Sequence, residues 1–81
     1  MQIASVQILL YLFRKGEVRH SELSDMMKSR GTLSLSLKDL QEEGLVQRKV
    51  IDTKPIQSLY SLTEKGAVVA KELHEIQVLM S

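Results

Sequence analysis

The 81-residue sequence predicts a mainly α-helical fold with one small β-hairpin, an α+β class. Three observations predict it. Apolar residues recur at helical spacing in four separate segments. Between Leu45 and Leu62 that period gives way to β-branched residues on either side of Asp52-Thr53-Lys54-Pro55. Glycines or hydroxyl side chains stand where helices must stop or start, at Gly16, Ser21, Thr32, Gly44 and Thr63.

The first helix, about Gln2 to Arg14, carries Ile3, Val6, Leu10 and Phe13 at helical spacing, while Ile8, Leu9 and Leu12 add a second apolar face. A helix apolar most of the way round is buried on more than one side, and in so short a chain the second side is read as another subunit. Gly16 ends it, and Glu17 to His20 form a short extended piece. Ser21 reads as the N-cap of a two-turn helix with Leu23, Met26 and Met27 on one face. Ser29-Arg30-Gly31 is a tight break, after which Thr32 caps a third helix running to about Glu43, with Leu33, Leu37 and Leu40 inward. Gly44 takes the left-handed position past its end. Strands follow at 45–51 and 56–62, with Tyr60 read as a core residue. Thr63 caps a last helix, 64–80, whose Val69, Leu73, Ile76 and Met80 form a heptad-like seam. Helix, short strand, helix, helix, strand, strand, helix is the order of a winged helix-turn-helix, here a single domain over residues 1–81.

Composition removes several functions. There is no cysteine, which excludes disulfides, cysteine-ligated zinc and a cysteine nucleophile, and fits a reducing cytosol. The apolar run Ile8 to Phe13 is too short to span a bilayer and has no basic leader before it, so no membrane partner or signal peptide is expected. No glycine-rich phosphate loop, metal cluster or nucleophile–base pattern is visible, so neither catalysis, cofactor nor metal is expected. His20 and His74 lie far apart without ligand spacing, and a metal or pH-sensing role finds no support there. A formal charge of +1 supplies no bulk attraction to nucleic acid, so a DNA surface must come from where the charges sit.

Local placement does favour DNA. Centring the buried face of the third helix on Leu37 turns Leu35, Asp39 and Glu42 outward, flanked by Thr32, Ser36 and Lys38. As a recognition helix, 32–43 would present Thr32, Ser34, Leu35 and Ser36 to base edges in the major groove, the hydroxyls to several bases and Leu35 to a thymine methyl. None of these makes a bidentate contact, so modest or shape-assisted specificity is expected. Lys28, Arg30 and Lys38 fall in a stretch without acidic residues, and Arg48, Lys49 and Lys54 flank a wing at 48–56. Acidic residues collect elsewhere, at Glu42, Glu43, Glu64, Glu72 and Glu75. A basic turn and a basic wing suit phosphate clamping and minor-groove contact, and the helix capped by Ser21 offers free amides to another phosphate. The alternative is a winged helix that contacts protein instead, favoured by near-neutral charge, an outward Leu35, and Asp39 and Glu42 beside it. Ile3, Val6, Leu10 and Phe13 together with Val69, Leu73, Ile76 and Met80 form a dimer interface or, alternatively, close a monomeric core. A twofold dimer would set its recognition helices about 34 Å apart and read a pseudo-palindromic operator.

The stretch from Leu33 to Gly66, LSLSLKDLQEEGLVQRKVIDTKPIQSLYSLTEKG, resembles the HxlR-type regulators, a MarR-related winged-helix family of bacterial and archaeal transcription factors. The matching pieces are Leu33-Ser34, Leu37-Lys38, Leu40, Gly44-Leu45-Val46, Arg48, Pro55, Tyr60-Ser61-Leu62-Thr63 and Gly66, with Ile8-Leu9-Leu10 and Ser21-Glu22-Leu23 matching more loosely upstream. The resemblance covers about Val6 to Leu73. It implies a cytoplasmic, prokaryotic or nucleoid-associated regulator that binds duplex DNA as a homodimer through paired terminal helices, and it names no effector ligand. The cysteine often found near the family's N-terminus is absent, which implies no redox sensing by that route.

Overall fold

A computed structural model describes Ile3–Ser81; the expected helix start at Gln2 lies outside the described residues. Four helices and three strands follow in the expected order: α1 (Ile3–Lys15), β1 (Val18–Arg19), α2 (His20–Met26), α3 (Arg30–Glu42), β2 (Val46–Ile51), β3 (Gln57–Leu62) and α4 (Glu64–Met80). The hairpin loop is Asp52–Ile56, one residue longer than the sequence implied. The short extended piece is more than a connector. Val18 pairs with Tyr60 and Arg19 with Leu59, so β1 completes an antiparallel sheet in the order β1-β3-β2. Nothing local in the sequence marks that pairing, because its partner lies about forty residues away along the chain.

The core lies between the sheet and the helices. Ile8, Leu9 and Leu12 of α1, Leu23 of α2 and Leu33, Leu37 and Leu40 of α3 meet Val18, Leu45, Val46, Tyr60 and Ala70 there. Ala4, Tyr11, Met26, Leu62, Val69 and Leu73 pack around the rim. Removing this apolar surface from water is the main stabilising term for so short a chain, at about 25 cal/mol per Å².

Two helix starts differ from the sequence reading. Ser21 is not the N-cap of α2; the helix begins at His20, with Arg19 in the cap position and no side-chain cap bond. Pairing in β1 holds Arg19 extended, and the chain passes straight from strand to helix. Thr32 is not the cap of α3 either. Ser29 is, its hydroxyl accepting from the Thr32 amide at 3.2 Å, so Arg30 and Gly31 belong to the first helical turn. The break between helices is therefore Met27–Ser29. Apolar periodicity fixes which face of a helix is buried but leaves its first turn free, and two nearby hydroxyls competed for the cap.

The end of α3 is tied to the start of α4. Gly44 takes φ +74°, its amide donates to the Gln41 carbonyl (3.0 Å), and the Leu45 amide donates to the Leu40 carbonyl (2.9 Å), a Schellman ending. The Thr63 hydroxyl accepts from the Gly66 amide at 3.0 Å and donates to the Gly44 carbonyl at 2.6 Å. The Thr63 amide donates to the Leu45 carbonyl at 3.1 Å. Gly66 lies so close that a Cβ there would overlap the Leu45 carbonyl.

Replacing Gly66 by alanine is therefore expected to lower stability by at least about 2 kcal/mol, since the blocking atom is backbone and cannot swing away. Gly31→Ala, with open space around it, is expected to raise stability by up to about 1 kcal/mol through helix propensity. Urea denaturation of the two variants checks both signs.

Candidate nucleic-acid interface

The face that α3 offers to solvent follows from the face it buries. Leu33, Ser36, Leu37 and Leu40 are buried, so the buried arc centres between Leu33, Leu37 and Leu40 and not on Leu37 itself. That rotation corrects one expected contact. Ser36, expected at the DNA surface, is 0% exposed, and its hydroxyl has no hydrogen-bond partner. It lies three residues after Leu33 and four before Leu40, within the same inward stripe. The outermost line of the helix becomes Gly31, Leu35, Lys38 and Glu42, all exposed, with Leu35 at 63%. Thr32 and Ser34 are exposed beside it.

Two clefts flank α3 on this side. One, about 360 Å³, opens between α3 and β3, with Ser34, Lys38 and Glu42 on one wall and Tyr60 on the other. The second, about 390 Å³, lies between α2 and α3 and is lined by Ser21, Ser24, Arg30 and Ser34. Ser21 thus reaches the expected surface from inside the first turn of α2 rather than as its cap.

Strand alternation divides the wing's cations between the two faces of the sheet. Arg48 lies opposite the buried Tyr60, on the side that meets α3. Its Nε and Nη2 both donate to the Ser58 hydroxyl, at 3.2 and 3.1 Å, which holds the guanidinium over the hairpin. Lys49 lies opposite Leu59, on the reverse face, away from α3. Lys54 is exposed in the loop, which is braced by the Thr53 hydroxyl donating to the Pro55 carbonyl at 2.8 Å. Lys28 is exposed in the turn before α3. The fold accordingly gathers Ser21, Arg30, Thr32, Ser34, Leu35 and Lys38 around α3, with Arg48 on the wing on the same face of the sheet as Tyr60. Ser36 is in the core and Lys49 faces the other way.

Sequence reasoning passed over Arg19 and, finding no spacing signal at His20, gave that residue no metal or pH-sensing role. The His20 ring lines both clefts flanking α3, with its centroid 6.0 Å from that of Tyr60, and Arg19 and His20 together line a third cleft against Ile56 and Ser58. No spacing signal marks either residue, because their neighbours come from α3 and β3, distant in the chain.

The terminal helices pack on each other, Phe13 of α1 meeting His74 of α4 with ring centroids 5.4 Å apart. The α4 seam splits along its length. Val69 and Leu73 are half-buried against the core, whereas Ile76 and Met80 are 52% and 82% exposed. On α1, Val6 and Leu10 are half-buried, and Ile3 and Phe13 are exposed. Among the described residues no helix is long and apolar enough to cross a membrane, and no three His, Asp or Glu side chains cluster as metal ligands.

Two helices joined by a short turn, the second exposed along one face, and a three-stranded antiparallel sheet ending in a hairpin define a winged helix-turn-helix protein. The chain belongs to the HxlR-like helix-turn-helix family, whose pattern matches residues 5–81. It is 38% identical over 73 residues to the uncharacterized HTH-type transcriptional regulator YvaP of Bacillus subtilis (strain 168), covering 88% of this chain. It spans about two thirds of the length of the curated relatives it matches, 68% in the case of YvaP. The fold superposes on the ytfH protein of Salmonella typhimurium with a TM-score of 0.86 at 29% identity, over 99% of this chain and 72% of that one. It also superposes on a mutant MarR from E. coli, complexed with operator DNA, with a TM-score of 0.78 over 93% of this chain and 54% of that one; at 23% identity that likeness is one of fold. The family is one of transcriptional regulators rather than enzymes.

Ser36→Ala is expected to raise stability by about 1 kcal/mol, because it removes a buried hydroxyl that has no partner and places a better helix former in α3. Thermal denaturation checks this, and unchanged duplex affinity of the same variant is expected, since the side chain never reaches the surface.

Proposed function

We propose that this protein is a transcriptional regulator that binds duplex DNA as a homodimer, with α3 in the major groove and the β2–β3 wing on the backbone and minor groove. The observation that carries this reading is the common side shared by α3 and the wing. Exposed Thr32, Ser34 and Leu35 lie in the N-terminal half of α3, between Arg30 and Lys38, while Arg48 is held by Ser58 on the facing side of the sheet. The hydroxyls and Leu35 touch base edges, and Arg30, Lys38, Arg48 and Lys54 contact phosphates on either side. Such an array reads few bases sharply, so the duplex's shape contributes to the choice of site. The family and the operator complex of a protein of the same fold support the reading.

Dimerisation follows from apolar surface that the monomer leaves in water. Ile3 and Phe13 of α1 and Ile76, Leu79 and Met80 of α4 are all exposed. A second copy with the same faces covers them by twofold symmetry, with Val6, Leu10, Val69 and Leu73 lying between that contact and the core. Two recognition helices about 34 Å apart then meet successive major grooves of a pseudo-palindromic site.

One observation favours a protein-binding winged helix instead, namely Leu35 at 63% exposure with Asp39 and Glu42 exposed beside it. Salt separates the two readings. A DNA-bound form loses affinity steeply with salt, log K falling by about 0.9 per phosphate contact per decade of salt, and Arg48→Glu with Lys54→Glu weakens all duplexes alike. Selection from a random duplex pool is expected to return palindromes; failure to retain any duplex even at low salt would falsify the DNA reading. For the dimer, Ile76→Asp with Met80→Asp is expected to weaken self-association more than about tenfold in sedimentation equilibrium, through unpaired charges in an apolar contact.

A further inference from the structure

We propose that His20 is a proton-linked phosphate contact, so that duplex affinity rises as pH falls through the range in which imidazole ionises. The proposal rests on the DNA-binding reading above and adds a residue and a control to that surface. His20 is the first residue of α2, and its side chain is exposed where three elements converge. It lines the cleft between α3 and β3, the cleft between α2 and α3, and the cleft between β1 and the wing, and so is common to all three. Its ring leans on Tyr60 at a centroid distance of 6.0 Å, which restricts its motion while leaving it open to solvent.

The groups around it are cations and hydroxyls of the kind that bind phosphate oxygens. From α3 come Arg30, Lys38 and one carboxylate, Glu42, whereas Arg19 of β1 pairs with Leu59 and so lies on the sheet face turned away from α3. From α2 come the hydroxyls of Ser21 and Ser24, and β3 brings Tyr60. The adjoining wing stretch, Pro55 to Ser58, brings no charge. Glu22, also on α2, is engaged elsewhere, accepting from the Tyr11 hydroxyl of α1 at 3.3 Å. In the free protein two cations, Arg30 and Lys38, and one carboxylate, Glu42, line the clefts that the ring shares with α3. A DNA backbone laid along α3 and the wing brings phosphate oxygens into the same clefts and reverses that balance in favour of the imidazolium.

The linkage has a definite sign. If the bound state favours protonated His20, binding takes up a proton, and affinity is higher below the ionisation range than above it. Imidazole is the side chain whose ordinary ionisation falls between about pH 5 and about pH 8, so the effect acts within a physiological range. Neutral His20 leaves a surface of Arg30, Lys38, Arg48 and Lys54 that still binds. Protonation adds a contact at the point where recognition helix, α2 and wing meet.

The test measures fluorescence anisotropy of the full chain with a labelled mixed-sequence duplex about two helical turns long, at constant ionic strength, from about pH 8 to about pH 6. The wild type is expected to gain about fivefold in affinity per subunit, the range of one partly exposed ion pair, and its salt slope to steepen by about 0.9 per subunit. His20→Gln is expected to be flat with pH, His20→Arg to bind tightly at both ends, and His74→Gln to keep the wild-type pH response. A pH response that survives in His20→Gln overturns the proposal, as does wild-type binding that does not change with pH; either result leaves the DNA reading standing. No duplex binding by the wild type at any pH, even at low salt, removes both.

Discussion

The constraint on which the rest of the structure depends is the junction where α3 ends and α4 begins. Thr63 bridges it, accepting from the Gly66 amide while donating to the Gly44 carbonyl, and its own amide reaches the Leu45 carbonyl. Gly66 allows α4 to lie directly on that same Leu45 carbonyl. These few bonds fix the direction of β2 as it leaves α3 and of α4 as it leaves β3. The wing therefore projects at a set angle from the recognition helix, and the terminal helix is aimed across α1. A loosened junction would displace both surfaces at once, which couples the proposed DNA face to the apolar terminal helices through rigid backbone rather than through a chain of side chains.

The molecule divides its apolar residues between two tasks. Its interior takes one face of every helix and the inner face of the sheet. What remains exposed is gathered at the terminal helices, and more sparsely on the outer side, at Leu35 of α3 and at Val50 and Ile56 of the wing. Isolated apolar residues on a surface are ordinary, but a run such as Ile76, Leu79 and Met80 at the end of one helix is a surface that water does not favour. The α4 seam shows both tasks in a single helix, since Val69 and Leu73 close the monomer while Ile76 and Met80 extend past it.

The polar side is assembled with comparable economy. A net charge of +1 disguises a local arrangement in which Arg48 of the wing shares one side with Arg30 and Lys38 of α3, while Lys49 faces the other way. Ser58 holds Arg48 in place, so little side-chain freedom is left to lose in the phosphate contact proposed for its guanidinium. Ser36 is the counterexample. Its hydroxyl is buried and idle, a polar group carried inward because position 36 falls within the stripe that buries Leu33, Leu37 and Leu40.

Sequence alone determined the order of elements, the hairpin, the inward Leu33, Leu37 and Leu40, the helix ending at Gly44 and the helix cap at Thr63, because each depends on spacing or on backbone chemistry within a few residues. It also showed which stretches carry the cations. The tertiary structure decided everything that depends on a distant partner. Pairing with Tyr60 and Leu59 made Val18 and Arg19 a third strand and moved the start of α2 to His20. Strand register parted Arg48 from Lys49 across the sheet, and packing of α3 rotated Ser36 into the core. His20 changed most. In the chain it is a lone histidine with no informative neighbours; in the fold it lines the clefts that also hold Arg30 and Lys38, because segments far apart in sequence converge there.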